Sequence, residues 1–163
     1  MTSFDFDALD HEVYMREALK EADEARLKGE LPIGAVVVQA GQVIARGHAQ
    51  HEAVKSRIAH AEMNALQAAA PTLYGQGTQD CVLYTTVEPC VMCLGAVAMS
   101  DIPHVVFALP DRNIRPERML EMAYMQRHIR NYLGGVLERE SRLLWEVSRP
   151  HLLYLMITGK RRD

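Results

Sequence analysis

The sequence predicts an α/β fold, because helical and extended patterns alternate along the chain. Apolar residues recur at helical spacing over residues 10–27, where Asp10 is placed to cap the helix and Gly29 follows its end. Two short extended segments follow at 33–38 and 42–45, and the Ala40-Gly41 pair between them predicts a β-hairpin. With the elements described next, these patterns predict the order α-β-β-α-β-α-β-α-β-α in one α/β unit.

The remaining elements continue the alternation. A polar loop is expected at 48–57, before an alanine-rich helix over 60–70 that Pro71 ends. A strand over 81–87 is rich in valine, tyrosine and threonine, and Pro89 suits the first turn of a helix that reaches Met99. The rest of the chain is expected to contain, in order, a strand over 104–108, a loop over 110–116, a helix over 117–130, a short strand within 132–137 and a helix over 138–157 that is interrupted near Pro150.

Composition is typical of a soluble globular protein. The chain has 163 residues, 48% hydrophobic and 24% charged, which suits one domain spanning residues 1–163 and excludes a disordered chain. Its apolar runs, such as 33–38 and 152–157, are too short to cross a bilayer. The N-terminal residues lack the basic and apolar regions of an export signal, and three cysteines fit free thiols or a metal better than disulfides. We therefore expect a cytoplasmic protein without membrane contact.

Two short motifs indicate a metal site, His60-Ala-Glu62 and Pro89-Cys90-Val-Met-Cys93. Cysteines three residues apart at the start of a helix can reach one ion, and the positive end of the helix favours the thiolate that a metal requires. Together with His60 they give three zinc ligands and leave the fourth tetrahedral position open, which is typical of a catalytic zinc site. Cys81 lies within a strand pattern, where burial is expected.

Glu62 adds a carboxylate to this metal site. Water activated by a metal needs a group that takes its proton and passes it to the leaving group. Residues two apart diverge in the middle of a helix, so His60 and Glu62 can face one ion only if His60 occupies the opening of the helix. Either residue alone is more often an ordinary polar residue at a helix start, but in combination with the cysteine pair they favour a hydrolytic zinc enzyme.

These motifs resemble those of the cytidine-deaminase superfamily of zinc aminohydrolases. The resemblance is closest to the branch of tRNA adenosine deaminases, guanine deaminases and cytosine deaminases, and it extends from the first helix to Asp111. It implies a three-layer α/β/α fold with a five-stranded mixed sheet, one Zn²⁺ per chain on His60, Cys90 and Cys93, and Glu62 as the catalytic proton shuttle. It also implies hydrolytic deamination of a nucleobase-like ring with release of ammonia, and a homodimer.

The same resemblance implies a substrate pocket, and here the chain departs from the family pattern. The implied pocket residues are Ile33, Ala49, Ala61, Val87, Glu88 and Asp111. Ala49 stands where that branch typically carries an asparagine that binds the base, although a shift of one residue would bring His48 or Gln50 to this position. Because an unpaired buried polar group is costly, the loss of this side chain predicts an altered substrate preference.

Residues 56–58 and 112–118 also depart from the pattern of the tRNA-acting relatives. We therefore expect a free nucleobase, nucleoside or related heterocycle as substrate, with the wobble adenosine of tRNA as the alternative. An alternative of another class is a catalytically inactive subunit that binds other molecules with the same fold. The retained Glu62 argues against that subunit, since Glu62 is not a metal ligand.

Basic residues near the end of the chain leave two interpretations open. Arg112, Arg115 and Arg118 suit a phosphate or carboxylate on the substrate, although the sequence favours a solvated loop and helix start. The basic segment 159–162 suits contact with tRNA or an exposed chain end.

Overall fold

A five-stranded mixed sheet forms the centre of the fold in the computed structural model, which describes residues 4–161. The strands are β1 (Gly34–Gln39), β2 (Gln42–His48), β3 (Cys81–Val87), β4 (His104–Leu109) and β5 (Asn131–Leu133). They are arranged in the order β2-β1-β3-β4-β5, where β1 is antiparallel to both its neighbours and β3, β4 and β5 are mutually parallel. The α/β class, the hairpin and the five-stranded mixed sheet are therefore confirmed.

Helices cover both faces of the sheet. They are α1 (His11–Leu27), α2 (Ala61–Leu73), α3 (Val91–Met99), a 3-10 helix (Pro116–Glu121), α4 (Ala123–His128), α5 (Glu138–Ser148) and α6 (Pro150–Thr158). Successive strand residues face opposite layers: Val37 packs with residues of α2 and α3, whereas Val36 packs with residues of α1. This gives the expected three layers. No helix within residues 4–161 has the length and hydrophobicity needed to cross a membrane.

Two glycines allow the helices to lie close to the sheet. A Cβ atom on Gly47 of β2 would lie 2.4 Å from the carbonyl oxygen of Ala61 and 2.4 Å from the amide nitrogen of Ala65, both on α2. Gly34 of β1 has a corresponding position under α1, where a Cβ atom would lie 2.2 Å from the carbonyl oxygen of Ala18. Gly47 therefore fixes the distance between the sheet and the helix that begins at the His-x-Glu motif.

Two proline predictions were wrong. Pro71 lies inside α2, which continues to Leu73. Pro71 cannot donate to the carbonyl group of Gln67, but Gln67 is exposed to solvent, so water can bind this carbonyl group. Pro89 precedes α3 and does not lie in its first turn, because Cys90 is the N-cap in an extended conformation and the helix begins at Val91.

The predicted helix over 117–130 is divided into the 3-10 helix and α4 by Met122, whose backbone is extended. On one continuous α-helix, Met119 and Leu120 would face nearly opposite to Met125 and Ile129. All four pack against the same core cluster, so the break at Met122 brings both pairs to one side.

The C-terminal elements also differ in their bounds from the prediction. The last strand begins at Asn131, one residue before the predicted interval 132–137, and ends at Leu133, because the chain crosses Phe107 at Gly134 and then turns at Gly135, whose φ is 87°. A Cβ atom on Gly134 would lie 2.5 Å from the Phe107 ring. The interruption predicted near Pro150 is complete, since α5 ends at Ser148 and Pro150 begins α6.

Candidate metal centre and active-site cavity

The starts of two helices bring His60, Cys90 and Cys93 together. His60 is the N-cap of α2 and Cys90 is the N-cap of α3, both with extended backbones, and Cys93 lies in the first turn of α3. The Nδ1 atom of His60 lies 3.6 Å from Sγ of Cys90 and 3.5 Å from Sγ of Cys93, and the two sulfur atoms are 3.6 Å apart. The three side chains predicted from the sequence as ligands therefore form one triangle of donor atoms.

This triangle has the dimensions of a tetrahedral zinc site. Zinc binds sulfur at about 2.3 Å and histidine nitrogen at about 2.0–2.1 Å, so tetrahedral angles place two sulfur ligands roughly 3.8 Å apart and a sulfur and a nitrogen roughly 3.6 Å apart. The distances of 3.5–3.6 Å agree with these values. Two thiols and one imidazole are also the donor types that zinc prefers. The residues present thus fit a zinc ion.

Hydrogen bonding within the triangle favours the ionised form of Cys90. The neighbouring Cys93 thiol, and after it the His60 ring, lower the pKa of Cys90 to about 4, although burial acts in the opposite direction. The thiolate is the form of cysteine that binds a metal. Cys81 is fully buried in β3, where burial raises the pKa of its thiol to about 11. The structure therefore separates one buried strand cysteine from the two cysteines of the triangle.

Glu62 lies beside the triangle, in the first turn of α2. Its side chain is 3% exposed, and its Oε1 accepts a hydrogen bond of 3.2 Å from the hydroxyl group of Thr85 on β3. Burial raises the pKa of the Glu62 carboxyl group. Since His60 is the N-cap and Glu62 the second helical residue, the opening of α2 lets both side chains face one cavity, as the spacing predicts.

A cavity of about 190 Å³ adjoins His60, Glu62 and Cys90. Of the pocket residues predicted from the sequence, Ile33, Val87, Glu88 and Asp111 also line it. Ala49 and Ala61 are both fully buried, and they are not among its lining residues. The remaining lining residues were not predicted: Leu31, Ile114, Trp145, Leu152, Leu155 and Met156.

Most of the lining residues that were not predicted belong to α5 and α6. Trp145, Leu153 and Met156 form a core cluster with Val87 and Leu109, which end β3 and β4. This cluster fixes the two helices over the carboxyl ends of the parallel strands, next to the start of α3. The helical pattern over 138–157 indicates helices with a buried side, but contains no signal for the surface that they cover.

Glu88 and Asp111 are held by hydrogen bonds from the chain. Glu88 accepts one from the hydroxyl group of Tyr132 and one from the amide of Asp111, each 2.9 Å long. The Asp111 carboxylate accepts from the amides of Asn113 at 2.9 Å and Ile114 at 3.0 Å. Burial raises the pKa of both carboxyl groups. These contacts connect β3, the loop after β4 and β5 at one edge of the cavity.

The polar residues next to Ala49 do not enter this cavity. His48 faces α1, with Nδ1 3.1 Å from a carboxylate oxygen of Glu21 and Nε2 3.2 Å from Nζ of Lys28. Gln50 lines a separate cavity, together with Lys28, Glu30 and His48. The Ala49 amide donates to the carbonyl oxygen of Ile33 at 3.0 Å. Neither neighbour of Ala49 therefore supplies the side-chain amide that the resemblance implies for this position.

Two of the loop arginines have acidic partners. Nε of Arg115 lies 3.1 Å from Glu117, and Nε of Arg118 lies 3.3 Å from Glu121. Arg112 and Arg115 line a second cavity, which shares Glu88 and Asp111 with the first. All three arginines are exposed, so the loop is a solvated segment at the edge of the site.

Comparison with known proteins agrees with this geometry. Residues 9–109 match the zinc-binding region of cytidine and deoxycytidylate deaminases. A tRNA-specific adenosine deaminase of Bacillus subtilis is 42% identical over 132 residues, which are 79% of this chain and 82% of that protein. A structure from a study of A-to-I editing by tRNA:A34 deaminases superposes with a TM-score of 0.72 at 30% identity, covering 81% of this chain and 98% of that one. A guanine deaminase from Nitrosomonas europaea superposes with a TM-score of 0.69 at 27% identity, covering 84% of each chain.

The family match spans β1 to β4, the starts of α2 and α3 and both metal-site motifs. These similarities identify the chain as a zinc deaminase, an enzyme that hydrolyses C–N bonds, as the motifs predict. The chain belongs to the family of cytidine and deoxycytidylate deaminases with this zinc-binding region.

Proposed function

We propose that this deaminase acts on a free nucleobase, nucleoside or related heterocycle, replacing an exocyclic amino group with oxygen and releasing ammonia. The observation that carries the proposal is the cavity beside His60 and Glu62. Its volume of about 190 Å³ lies below the roughly 300–1,000 Å³ of pockets that hold drug-sized ligands. Four side chains of α5 and α6 close one side of it, three of them aliphatic. A cavity of this size and lining suits a single flat ring system.

We also propose roles for the residues at the site. His60, Cys90 and Cys93 hold one zinc ion per chain, which when bound supplies a Lewis acid that activates water. Glu62 takes a proton from the attacking water and delivers it to the departing amino group, so the nitrogen leaves as ammonia. Ile33 and Val87 contact the ring, Ala49 and Ala61 support the cavity from behind, and Glu88 and Asp111 shape its edge.

The wobble adenosine of tRNA is the second candidate, and similarity favours it. The Bacillus subtilis relative at 42% identity is a tRNA-specific adenosine deaminase. Phosphate binding by this chain would use Arg112 and the basic C-terminal segment, where Lys160 and Arg161 are exposed and Arg162 lies outside the described residues. The ion pairs of Arg115 and Arg118 with glutamates reduce the positive charge available to an RNA backbone.

Three broader proposals accompany this function. We propose that residues 1–163 form a single domain. We also propose that the protein is cytoplasmic, because its three cysteines are free thiols in the structure. We further propose a homodimer, supported by Ile58 and Val91, which lie next to the ligand-bearing helix starts and are 64% and 51% exposed.

The experiment is ammonia release by the zinc-loaded protein from adenine, guanine, cytosine, their nucleosides, a set of aminated heterocycles and unmodified tRNA. Glu62→Ala serves as the blank, because it removes the proton shuttle and keeps every ligand. Release from a small molecule supports the proposal, and release from tRNA alone establishes the second candidate. An inactive binding subunit would release ammonia from none of them, and near-normal turnover by Glu62→Ala would contradict the mechanism.

A further inference from the structure

Trp145 carries a buried hydrogen-bond donor that has no acceptor within residues 4–161. Three buried side-chain nitrogen atoms of this part of the chain lack a partner, and they belong to His51, His104 and Trp145. Of these three residues, Trp145 is the one that lines the cavity beside the metal ligands. The residue is 2% exposed, so bulk water does not satisfy its N–H group. An indole N–H can only donate, and a buried donor without an acceptor is costly.

The other polar groups around the cavity are already engaged. His60 and Cys90 belong to the metal triangle, and Glu62 accepts from Thr85. Glu88 and Asp111 accept hydrogen bonds from the chain. The indole N–H is therefore a neutral donor without a partner, whereas the other side chains around the cavity are apolar or already have polar partners.

The position of the Trp145 ring is fixed relative to the metal ligands. Trp145 packs with Val87 and Leu109, the last residues of β3 and β4, and with Leu153 and Met156 of α6. Only two residues separate Val87 from Cys90, the N-cap of α3. A ring held by such packing keeps one orientation beside the cavity, and selection of a substrate by one hydrogen bond requires a donor that is fixed in this way.

We propose that the indole N–H of Trp145 donates a hydrogen bond to a ring nitrogen or carbonyl oxygen of the substrate. Trp145 thereby selects heterocycles with an acceptor at that position, in a cavity to which Ala49 contributes no polar side chain. This inference rests on the proposed function, since it assigns a specificity role at the same site.

A spectroscopic test uses the fact that Trp145 is the one tryptophan of the sequence. Emission excited at 295 nm is recorded while the zinc-loaded Glu62→Ala variant is titrated with guanine, adenine and cytosine, and binding is measured in parallel by calorimetry. The expected result is a shift of the emission maximum that saturates with the calorimetric isotherm, because the N–H gains an acceptor. Calorimetric binding with unchanged emission overturns the inference.

A kinetic test removes the donor. Trp145→Phe keeps an aromatic ring, and replacement of Trp145 by 3-benzothienylalanine keeps the bicyclic shape and lacks only the N–H. Both are assayed with the best substrate among these bases and with its analogues in which each acceptor in turn is replaced by CH. The loss of one neutral hydrogen bond lowers kcat/KM by about three- to tenfold for the parent base. For the analogue that lacks the acceptor facing Trp145, both variants are expected to have the same kcat/KM as the unmodified enzyme.

The possible failures are distinguishable. Equal losses on the parent base and all analogues, with zinc retained, mean that Trp145 only packs, and they overturn this inference while the deaminase function stands. Unchanged kcat/KM on the parent base in the benzothienyl variant overturns it as well. If the unmodified enzyme releases ammonia from none of the small molecules, the proposed substrate class is wrong and the inference fails with it.

Discussion

The hydroxyl group of Thr85 donates a hydrogen bond of 3.2 Å to Glu62 and also lies 3.1 Å from the carbonyl oxygen of Val87. Thr85 is fully buried, so its hydroxyl group holds one oxygen of Glu62, the proposed proton shuttle, in a fixed place. We predict that Thr85→Val lowers kcat roughly five- to fiftyfold, a part of the about 10²–10⁴-fold that a positioned acid–base group contributes. Zinc content, measured by plasma mass spectrometry, is expected to stay at the wild-type level.

The neighbouring Thr86 supplies the control for this prediction. Its hydroxyl oxygen accepts a hydrogen bond of 3.1 Å from the amide of Gly34 and has no contact with Glu62 among the described hydrogen bonds. Thr86→Val is expected to lower the free energy of unfolding by about 1–3 kcal/mol, because a buried amide loses its acceptor, and to leave kcat unchanged. An equal fall in kcat in both variants would mean that Thr85 acts through general packing.

Gly47 connects the packing of the sheet to the metal site. A Cβ atom at this position would lie 2.4 Å from backbone atoms of Ala61 and Ala65, so Gly47→Ala forces α2 away from β2. Because His60 and Glu62 lie at the start of α2, the variant is expected to lose zinc affinity as well as about 1–3 kcal/mol of stability. Chemical unfolding and a competition titration with a zinc chelator measure the two effects.

Gly34→Ala is the matched comparison for Gly47→Ala. Its Cβ atom would lie 2.2 Å from the backbone of α1, on the other face of the sheet and away from the metal ligands. The expected result is a similar loss of stability with unchanged zinc affinity. Equal zinc affinity in both alanine variants would contradict the link between Gly47 and the metal site.

The clustering of the proposed metal ligands and Glu62 was predictable from the sequence because their geometry is local. His60 and Glu62 share one helix start, and Cys90 and Cys93 share another, so spacing alone fixes which side chains can face one ion. The strands were predictable for a similar reason, since buried β-branched runs such as β3 have few alternatives.

The remaining part of the cavity depends on contacts between distant segments. Trp145 reaches the site because α5 and α6 pack on the ends of β3 and β4, more than thirty residues away along the chain. The break at Met122 has the same origin, because it is set by the core that Met119 and Met125 share and not by a helix-stop residue. Pro71 also remained in its helix because the carbonyl group that lacks a donor belongs to Gln67, an exposed residue, and the sequence does not reveal this exposure.

The three cysteines are expected to separate by function when each is replaced by serine. Cys90→Ser and Cys93→Ser each remove a ligand and should lower zinc affinity by more than the about 10–100-fold that loss of an outer-shell partner costs. Cys81→Ser should retain zinc, since Cys81 lies in β3 outside the triangle. Zinc content after dialysis measures the difference, and loss of zinc from the Cys81 variant without unfolding would contradict the assignment of ligands.

Thiol labelling gives an independent check on Cys81. Burial raises the pKa of this thiol to about 11, so little thiolate is present at pH 8 and the side chain is inaccessible. We expect iodoacetamide to modify Cys81 only after unfolding, as read by mass spectrometry of its peptide. Rapid modification in the folded, zinc-loaded protein would show that β3 opens readily.

Glu30 gives the fold a predictable dependence on acid. The residue is 3% exposed, and its carboxylate accepts hydrogen bonds from the amides of Glu52 at 3.0 Å and Ala53 at 2.7 Å, which hold the loop that leads to His60. Burial acts to raise the pKa of Glu30, but the two amides, together with the nearby His51 and His48, outweigh it and hold the pKa below its ordinary value of 4.5. The unfolded chain therefore takes up this proton first as the pH falls. The stabilisation is fully present above the ordinary pKa and is lost as the pH falls through the lower folded value.

Glu30→Gln tests this dependence, because glutamine can accept from one amide but presents its own NH₂ group to the other. At pH 7 the variant is expected to lose about 1–3 kcal/mol of unfolding free energy. The difference from wild type should narrow as the pH falls below 4.5, where the unfolded carboxylate is protonated. Urea unfolding followed by circular dichroism at pH 7, 5.5 and 4 measures this difference.

Glu52→Gln is the control, because Glu52 lies in the same loop and its exposed side chain is paired to Lys55. Its unfolding free energy should stay close to that of wild type at each pH. If the unfolding free energies of Glu30→Gln and wild type differ by the same amount at every pH, the pKa of the Glu30 carboxyl group is not lowered by folding, and the prediction is wrong.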